Sequence, residues 1–148
     1  MTSWDDYKKT MQGPATLWDA AKSNDVAELR RLLDDGAELD GRDHRGYSAL
    51  MLAAYVGQVE AFDFLLASGA DPNSADLGGN SVLMGAAFKG HLDMVRALLA
   101  AGARPQAKNS AGVDAHGFAT MFGRSEVAAL LHAHATAERR SANTTDNR

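Results

Sequence analysis

"AAYVGQVE" (residues 53–60) sets a tyrosine and a valine between an alanine pair and a glycine, and "AAFKGHLD" (86–93) repeats that arrangement 33 positions on, again with an aromatic behind the alanines. The same shift holds along the chain. Gly46, Gly79 and Gly112 fall in register, as do Gly57, Gly90 and Gly123, and Gly36, Gly69 and Gly102. Ala20-Ala21, Ala53-Ala54 and Ala86-Ala87 obey it, with Ala119-Thr120 as a fainter fourth copy, and so do Leu32, Leu65, Leu98 and Leu131. A period kept by glycines, alanines and leucines together marks a chain built of repeated structural units.

Each unit reads as helix, tight turn, helix and glycine-bearing loop. Leu50, Ala53 and Ala54 fall at i, i+3 and i+4, and Phe62, Leu65 and Leu66 do the same on the following helix, so each helix has one apolar face. Gly57 and Gly69 stand just past these helices, where a left-handed residue ends a helix without a Cβ clash. The alanine pairs keep the first helix thin enough for neighbouring units to approach closely. No helix pair of this size buries its apolar face alone, whereas side-by-side stacking makes one continuous core. Burying a leucine contributes about 1.5–3 kcal/mol, so the ladder Leu32, Leu65, Leu98, Leu131 is expected to be a main source of stability.

Composition narrows the function classes. Of 148 residues, 45% are hydrophobic and 23% charged, the balance of an ordinary globular chain with a real core. The formal charge is −4 with both signs interspersed, so there is no basic stripe for phosphates and nucleic acid is not an expected partner. Cysteine is absent, which removes disulfides, thiolate metal sites and a cysteine nucleophile. No apolar run approaches membrane-helix length, and "MTSWDDYKKT" has aspartates where a signal peptide needs basic then apolar residues, so the expectation is a cytoplasmic protein without membrane contact.

The units "DHRGYSALMLAAYVGQVEAFDFLLASGADPNSA" (43–75) and "DLGGNSVLMGAAFKGHLDMVRALLAAGARPQAK" (76–108) resemble ankyrin repeats. The resemblance implies an all-α solenoid of four stacked helix-turn-helix repeats joined by hairpin-like loops, at about 15–42, 43–75, 76–108 and 109–136. The central two are well matched and the outer two are degenerate caps. The family's T-P-L-H stretch stands here as "SALM" (48–51) and "SVLM" (81–84). Ser48 and Ser81 keep the hydroxyl cap, and Met51 and Met84 are expected to replace the histidine's hydrogen bonds by packing. In the last repeat His116 stands in the slot of Leu50 and Leu83, and His132 in that of Leu66 and Leu99. A terminal repeat tolerates polar residues on its outer face, which accounts for His132 and only partly for His116. Before the repeats, Ser3 with Asp6, and Trp4, Tyr7 and Met11 at helical spacing, predict a short helix within 1–14, ended by Gly13-Pro14, that caps the first repeat, with a partner-binding helix as the alternative. After them, the polar, aperiodic segment 137–148 is expected to be a disordered tail.

No nucleophile elbow, phosphate loop or H-E-x-x-H occurs, and the glycines follow the repeat rather than a dinucleotide fingerprint. Asp114 with His116, and His132 with His134, are two apart, which sends helical side chains to different faces and makes neither pair a chelate. His91 occupies the family's usual Gly-His position and reads as structural. The expectation is therefore a noncatalytic protein with no cofactor and no metal.

What remains is a recognition surface. In ankyrin stacks the two positions after the alanine pair face the concave side, which here means Lys22 and Ser23, Tyr55 and Val56, Phe88 and Lys89, and Met121 and Phe122. With helix axes about 8–10 Å apart, Tyr55, Phe88 and Met121 are expected to span roughly 20 Å as one bulky column. The loops add His44, Arg45, Tyr47, Leu77, Asn80 and Val113. Aromatics and arginine dominate interface energetics. The resemblance thus implies another, folded protein as the partner and a chain that is monomeric when unbound, with an inhibitor, immunity-type protector or accessory protein as its role. By analogy, free-standing small proteins with such repeats look bacterial. Two alternatives stand beside this: the same side chains cover the seams between repeats, or the strip pairs with a second copy of the chain.

Overall fold

The protein is described by a computed structural model over residues 16–145, and the capping helix expected within 1–14 lies outside the described residues. Among those described there are eight helices: α1 Leu17–Lys22, α2 Val26–Asp34, α3 Ala49–Val56, α4 Val59–Ala67, α5 Val82–Lys89, α6 Leu92–Ala100, α7 Ala115–Met121 and α8 Ser125–Thr145. The odd-numbered helices stack on one another as an inner layer, and each even-numbered helix packs antiparallel behind its partner as an outer layer.

Local chemistry starts and stops each helix. Ser48 caps α3 by accepting the Met51 N–H at 3.2 Å, and Ser81 caps α5 by accepting the Met84 N–H at 3.2 Å. Gly57 and Gly90 end the same helices with φ of +87° and +74°, conformations that side chains resist. In the first repeat Asn24 takes this position with φ +59°, as asparagine tolerates. The alanine pairs 20-21, 53-54 and 86-87 are buried, as are Leu65, Leu98 and Leu131, while Leu32 is half-buried.

Two expectations are corrected. Met84 does more than pack: its Sδ accepts the Ser81 N–H at 3.4 Å, a weak bond that closes a capping box with the Ser81 cap. Nor is the described part of the expected tail, 137–145, disordered, for α8 continues to Thr145, and residues 146–148 lie outside the described residues. The run "AHATAERR" (133–140) is rich in strong helix formers, and Gln106 Nε2 donates to Glu138 Oε2 at 3.2 Å, tying the extension to the third repeat's loop.

Between repeats the loops are small hairpins, the first two closed by one antiparallel bridge each, Arg42 with Ser48 and Ala75 with Ser81. Their shape comes from residues the periodicity had not singled out. Asp43 Oδ1 accepts the amides of Arg45 and Tyr47, both at 2.9 Å, and Asp76 Oδ1 accepts those of Gly78 and Asn80, both at 2.9 Å. Asn109 Oδ1 does the same for Ala111 at 3.0 Å and Val113 at 2.9 Å. One side-chain oxygen thus folds each loop back onto itself.

Truncating the buried leucine at the centre of the outer layer tests the stacked core. Leu65→Ala is expected to lower unfolding free energy by about 2–5 kcal/mol in urea titration, since a fully enclosed site leaves a cavity.

Candidate interaction surface

The inner helices bring the residues behind the alanine pairs into a continuous row. The rings of Tyr55 and Phe88 lie nearly parallel, 8° between planes and 6.2 Å between centroids. Phe88 meets Phe122 edge to face at 4.5 Å, and Phe122 stacks on Phe118 at 6.3 Å. Both arrangements suit the ring quadrupole. Lys89 lies along this row, its Nζ 4.5 Å from the Tyr55 centroid and 5.6 Å from that of Phe88.

Exposure divides the candidates. Tyr55 at 52%, Val56 at 50%, Met121 at 66% and Phe122 at 46% remain open to solvent. Phe88 and Lys89 are half-buried, so the central ring both joins repeats and offers an edge. Met121 stands in sequence register with Tyr55 and Phe88, yet the ring that meets Phe88 is that of Phe122. The reason is local: α7 stops at Met121 and Phe122 is its C-cap with φ −104°, whereas Val56 and Lys89 in the same slot are the last residues of their helices and the left-handed glycine is the cap.

The loop residues are less uniform. Arg45 holds its guanidinium carbon 4.7 Å from the Tyr47 ring centroid and pairs with Asp43 at 3.2 Å, while Tyr47 is half-buried. Leu77 is 81% exposed, yet one side of it lies over Gly46, whose added Cβ would come within 3.1 Å of Leu77 Cγ. His44 is exposed at its loop tip. Asn80 turns inward, bonding Asp76 and accepting from Asn109 Nδ2 at 2.8 Å. Val113 is half-buried.

Between the row and the loops runs a groove of about 390 Å³ lined by Tyr47, Met51, Tyr55, Met84, Phe88 and Phe118, with Arg45, Asp76 and Asn80 at its loop side and Gly85 in its floor. The sequence reading passed over Gly85 and Phe118; the signal was the column Leu52, Gly85, Phe118, which the period also generates.

A second set of residues stitches successive repeats below the row. Gln58 Nε2 donates to the Lys22 carbonyl at 2.7 Å, and Arg124 Nε to the Phe88 carbonyl at 2.9 Å, each closing the end of the preceding inner helix. His91, in register with both, lies against Gly57, where an added Cβ would stand 3.2 Å from the ring. Burial first, and then the charges of Lys89 and Arg124, hold its imidazole below the ordinary 6.5. Asn24 Oδ1 accepts the Ala61 N–H at 2.9 Å and so caps α4, whose own N-cap Gln58 makes no side-chain cap.

The remaining histidines are placed plainly. Asp114 caps α7 by accepting the Gly117 N–H at 2.8 Å, which occupies the carboxylate beside His116. His116 and His132 are exposed, with ring centroids 6.5 Å apart, and His134 pairs with Glu138 at 3.3 Å. Among the described residues no three histidine or carboxylate side chains converge as a metal group.

A stack of paired helices with hairpin loops, a small-residue inner seam and an aromatic row along the inner helices defines the class of helical repeat proteins. Models described as "Ankyrin repeats (3 copies)" and "Ankyrin repeats (many copies)" match residues 4–76 and 83–132. The chain belongs to the ankyrin-repeat family, whose members generally mediate protein–protein interaction. A stretch of 40 residues, 27% of this chain, is 48% identical to the mitochondrial disaggregase of Bos taurus, of which it covers 6%. No helix among the described residues is long and apolar enough to cross a membrane.

The loop chemistry carries a pH signature. Burial raises the Asp43 carboxyl, but the amides of Tyr47 and Arg45 and the Arg45 guanidinium outweigh it and hold the group below the ordinary 3.8. A carboxyl depressed in the fold stabilises it above 3.8, and that contribution is lost as pH falls through the lowered value. Asn109 does the same work without titrating. Asp43→Asn is therefore expected to keep the fold and flatten the melting temperature across this acidic window, whereas Asp43→Ala should lose about 1 kcal/mol at neutral pH by thermal unfolding.

Proposed function

We propose that this protein is a noncatalytic binding module that docks a folded protein partner on its concave face. The observation that supports this most directly is the aromatic row crossing three repeats, with Tyr55 and Phe122 about half exposed and Val56, Met121 and Leu77 beside them still more open or equally so. Contiguous exposed apolar surface of this kind marks contact sites on soluble proteins. Tyr47, Tyr55, Phe88 and Phe122 form the energetic centre, with Val56, Lys89 and Met121 around it and His44, Arg45 and Leu77 as the loop-side contacts. The protein acts in the cytoplasm, monomeric until bound, as an inhibitor, an immunity-type protector or an accessory to an enzyme.

The test uses the most exposed ring of the row. Tyr55→Ala is expected to leave thermal melting nearly unchanged and to weaken a partner recovered by affinity capture by about 2 kcal/mol in titration calorimetry. Large destabilisation with binding retained would place Tyr55 in the core and overturn the reading.

A second reading, that the strip is buried against another copy of the chain, draws on the same exposed Tyr55 and Met121. Light scattering separates the two. A stable dimer that dissociates on Tyr55→Ala supports self-association, and a monomer across the concentration range excludes it.

A further inference from the structure

Resting on the concave-face reading, we propose that the groove over Gly85 is an anchor pocket for one large apolar side chain of a partner segment whose neighbouring residues are carboxylates. The apolar half of this inference comes from the groove itself. In the column Leu52, Gly85, Phe118 the flanking repeats carry large side chains and the middle one carries none. A Cβ built at Gly85 meets nothing within 4 Å. The opening therefore reaches the backbone of α5, between walls of Met51, Met84, Tyr55, Phe88 and Phe118. Unbranched methionines adapt their shape to an inserted group, and the rings give it flat apolar surface.

The acidic half comes from charge. The chain as a whole is negative, at −4, but the lip of this groove is not. Asp43 does not line it, and Asp76, which does, has its oxygens taken up by the amides of Gly78 and Asn80 and by the Asn80 side chain, while Arg45 on the same side pairs with Asp43. Lys89 lies across Tyr55 and Phe88 at the rim. Beyond it Arg124 extends the basic character, its Nε on the Phe88 carbonyl and its Cδ over Gly90. Among the described residues Lys89 and Arg124 form no ion pair; Glu126 is the carboxylate that borders the adjoining hollow with them. Carboxylates beside the anchor would complement these cations, and a basic segment would be repelled by them. A small apolar molecule would fill the floor but leave the cationic rim unanswered.

The experiment is selection of a displayed library of random peptides on the immobilised full chain, followed by fluorescence polarisation with the synthesised consensus peptide. The expected consensus is one leucine or aromatic residue flanked by aspartate or glutamate. Its binding should weaken by about tenfold or more against Gly85→Leu, which fills the opening, and against Lys89→Glu, which inverts the rim. Replacing the peptide's apolar residue by alanine, or its acidic residues by lysine, should do the same. Melting curves establish that each variant folds, and if Gly85→Leu does not, Lys89→Glu and the peptide replacements still decide. A basic or absent consensus, undiminished binding to Gly85→Leu, or binding reproduced by indole alone and indifferent to Lys89→Glu would overturn the proposal. A protein partner lost on Tyr55→Ala but retained on Gly85→Leu would also overturn it, while leaving the concave-face reading intact.

Discussion

The approach of one inner helix to the next sets the geometry of the aromatic row. That approach is possible because the residues at the seam are alanines: Ala53, Ala54, Ala86 and Ala87 are completely buried between neighbouring repeats. A larger side chain there would push the helices apart, and a packed interior resists such insertion at about 1–3 kcal/mol. The residues that follow each pair have no choice of spacing. Tyr55 and Phe88 stand one repeat apart with rings almost parallel because their helices are held at alanine distance and in the same orientation. Where the seam changes, the row changes with it. Thr120 replaces the second alanine, is exposed, and donates its hydroxyl to the His116 carbonyl at 2.9 Å; α7 then ends at Met121, and Phe122 rather than Met121 turns toward Phe88.

The glycines that end the inner helices have a second role in the stacking. Gly57 and Gly90 are left-handed, which alone selects glycine, but each also leaves room for a side chain of the next repeat. The His91 ring lies over Gly57, and Arg124 lies over Gly90, where a Cβ would come within 2.9 Å of its Cδ. From there Arg124 reaches the Phe88 carbonyl. Gln58 achieves the same end over Asn24, which answers by capping α4 through the Ala61 amide. Helix termination and repeat-to-repeat cohesion are therefore one device. The polar groups left over at a helix end become the partners of the adjacent unit, so stacking satisfies hydrogen bonds as well as burying apolar area.

The repeat architecture was legible because identical physical demands recur at one interval, and glycine, alanine and leucine each answer a demand few other residues meet. What escaped was work that different residues do in equivalent places. Asp43, Asp76 and Asn109 share one loop role through a common side-chain oxygen, but their letters differ. Gln58, His91 and Arg124 share a stitching position with three chemistries, and only His91 stood out, through its family position. The alignment of Tyr55 with Phe88 was legible, since sequence register fixes register in space while helix ends stay equivalent. In the last repeat the ring that meets Phe88 is Phe122 and not the in-register Met121, because α7 ends at Met121. The half-buried state of Phe88 shows that seam covering and presentation to solvent are not exclusive: one ring does both. Residues 137–145 were misread because a helix already started needs only favourable propensity to continue, not an apolar face.

Gly85 is the glycine that none of these structural demands explains. It lies inside α5, where glycine is less stable than alanine by roughly 0.5–1 kcal/mol. Its φ is not left-handed, so no turn requires it, and no atom beyond its own helix stands where a Cβ would be, so no close approach requires it. Gly117, the other glycine within an inner helix, makes the contrast: a Cβ there would come within 2.9 Å of Val113 Cγ1. One glycine is demanded by packing and the other is not. What the absence of a side chain at Gly85 does produce is open floor between Leu52 and Phe118, bounded by the same rings that the alanine seam aligns. A local loss of helix stability that yields nothing in the fold, placed at the centre of the surface least explained by the fold, is the signature of a residue retained for what enters the space it leaves.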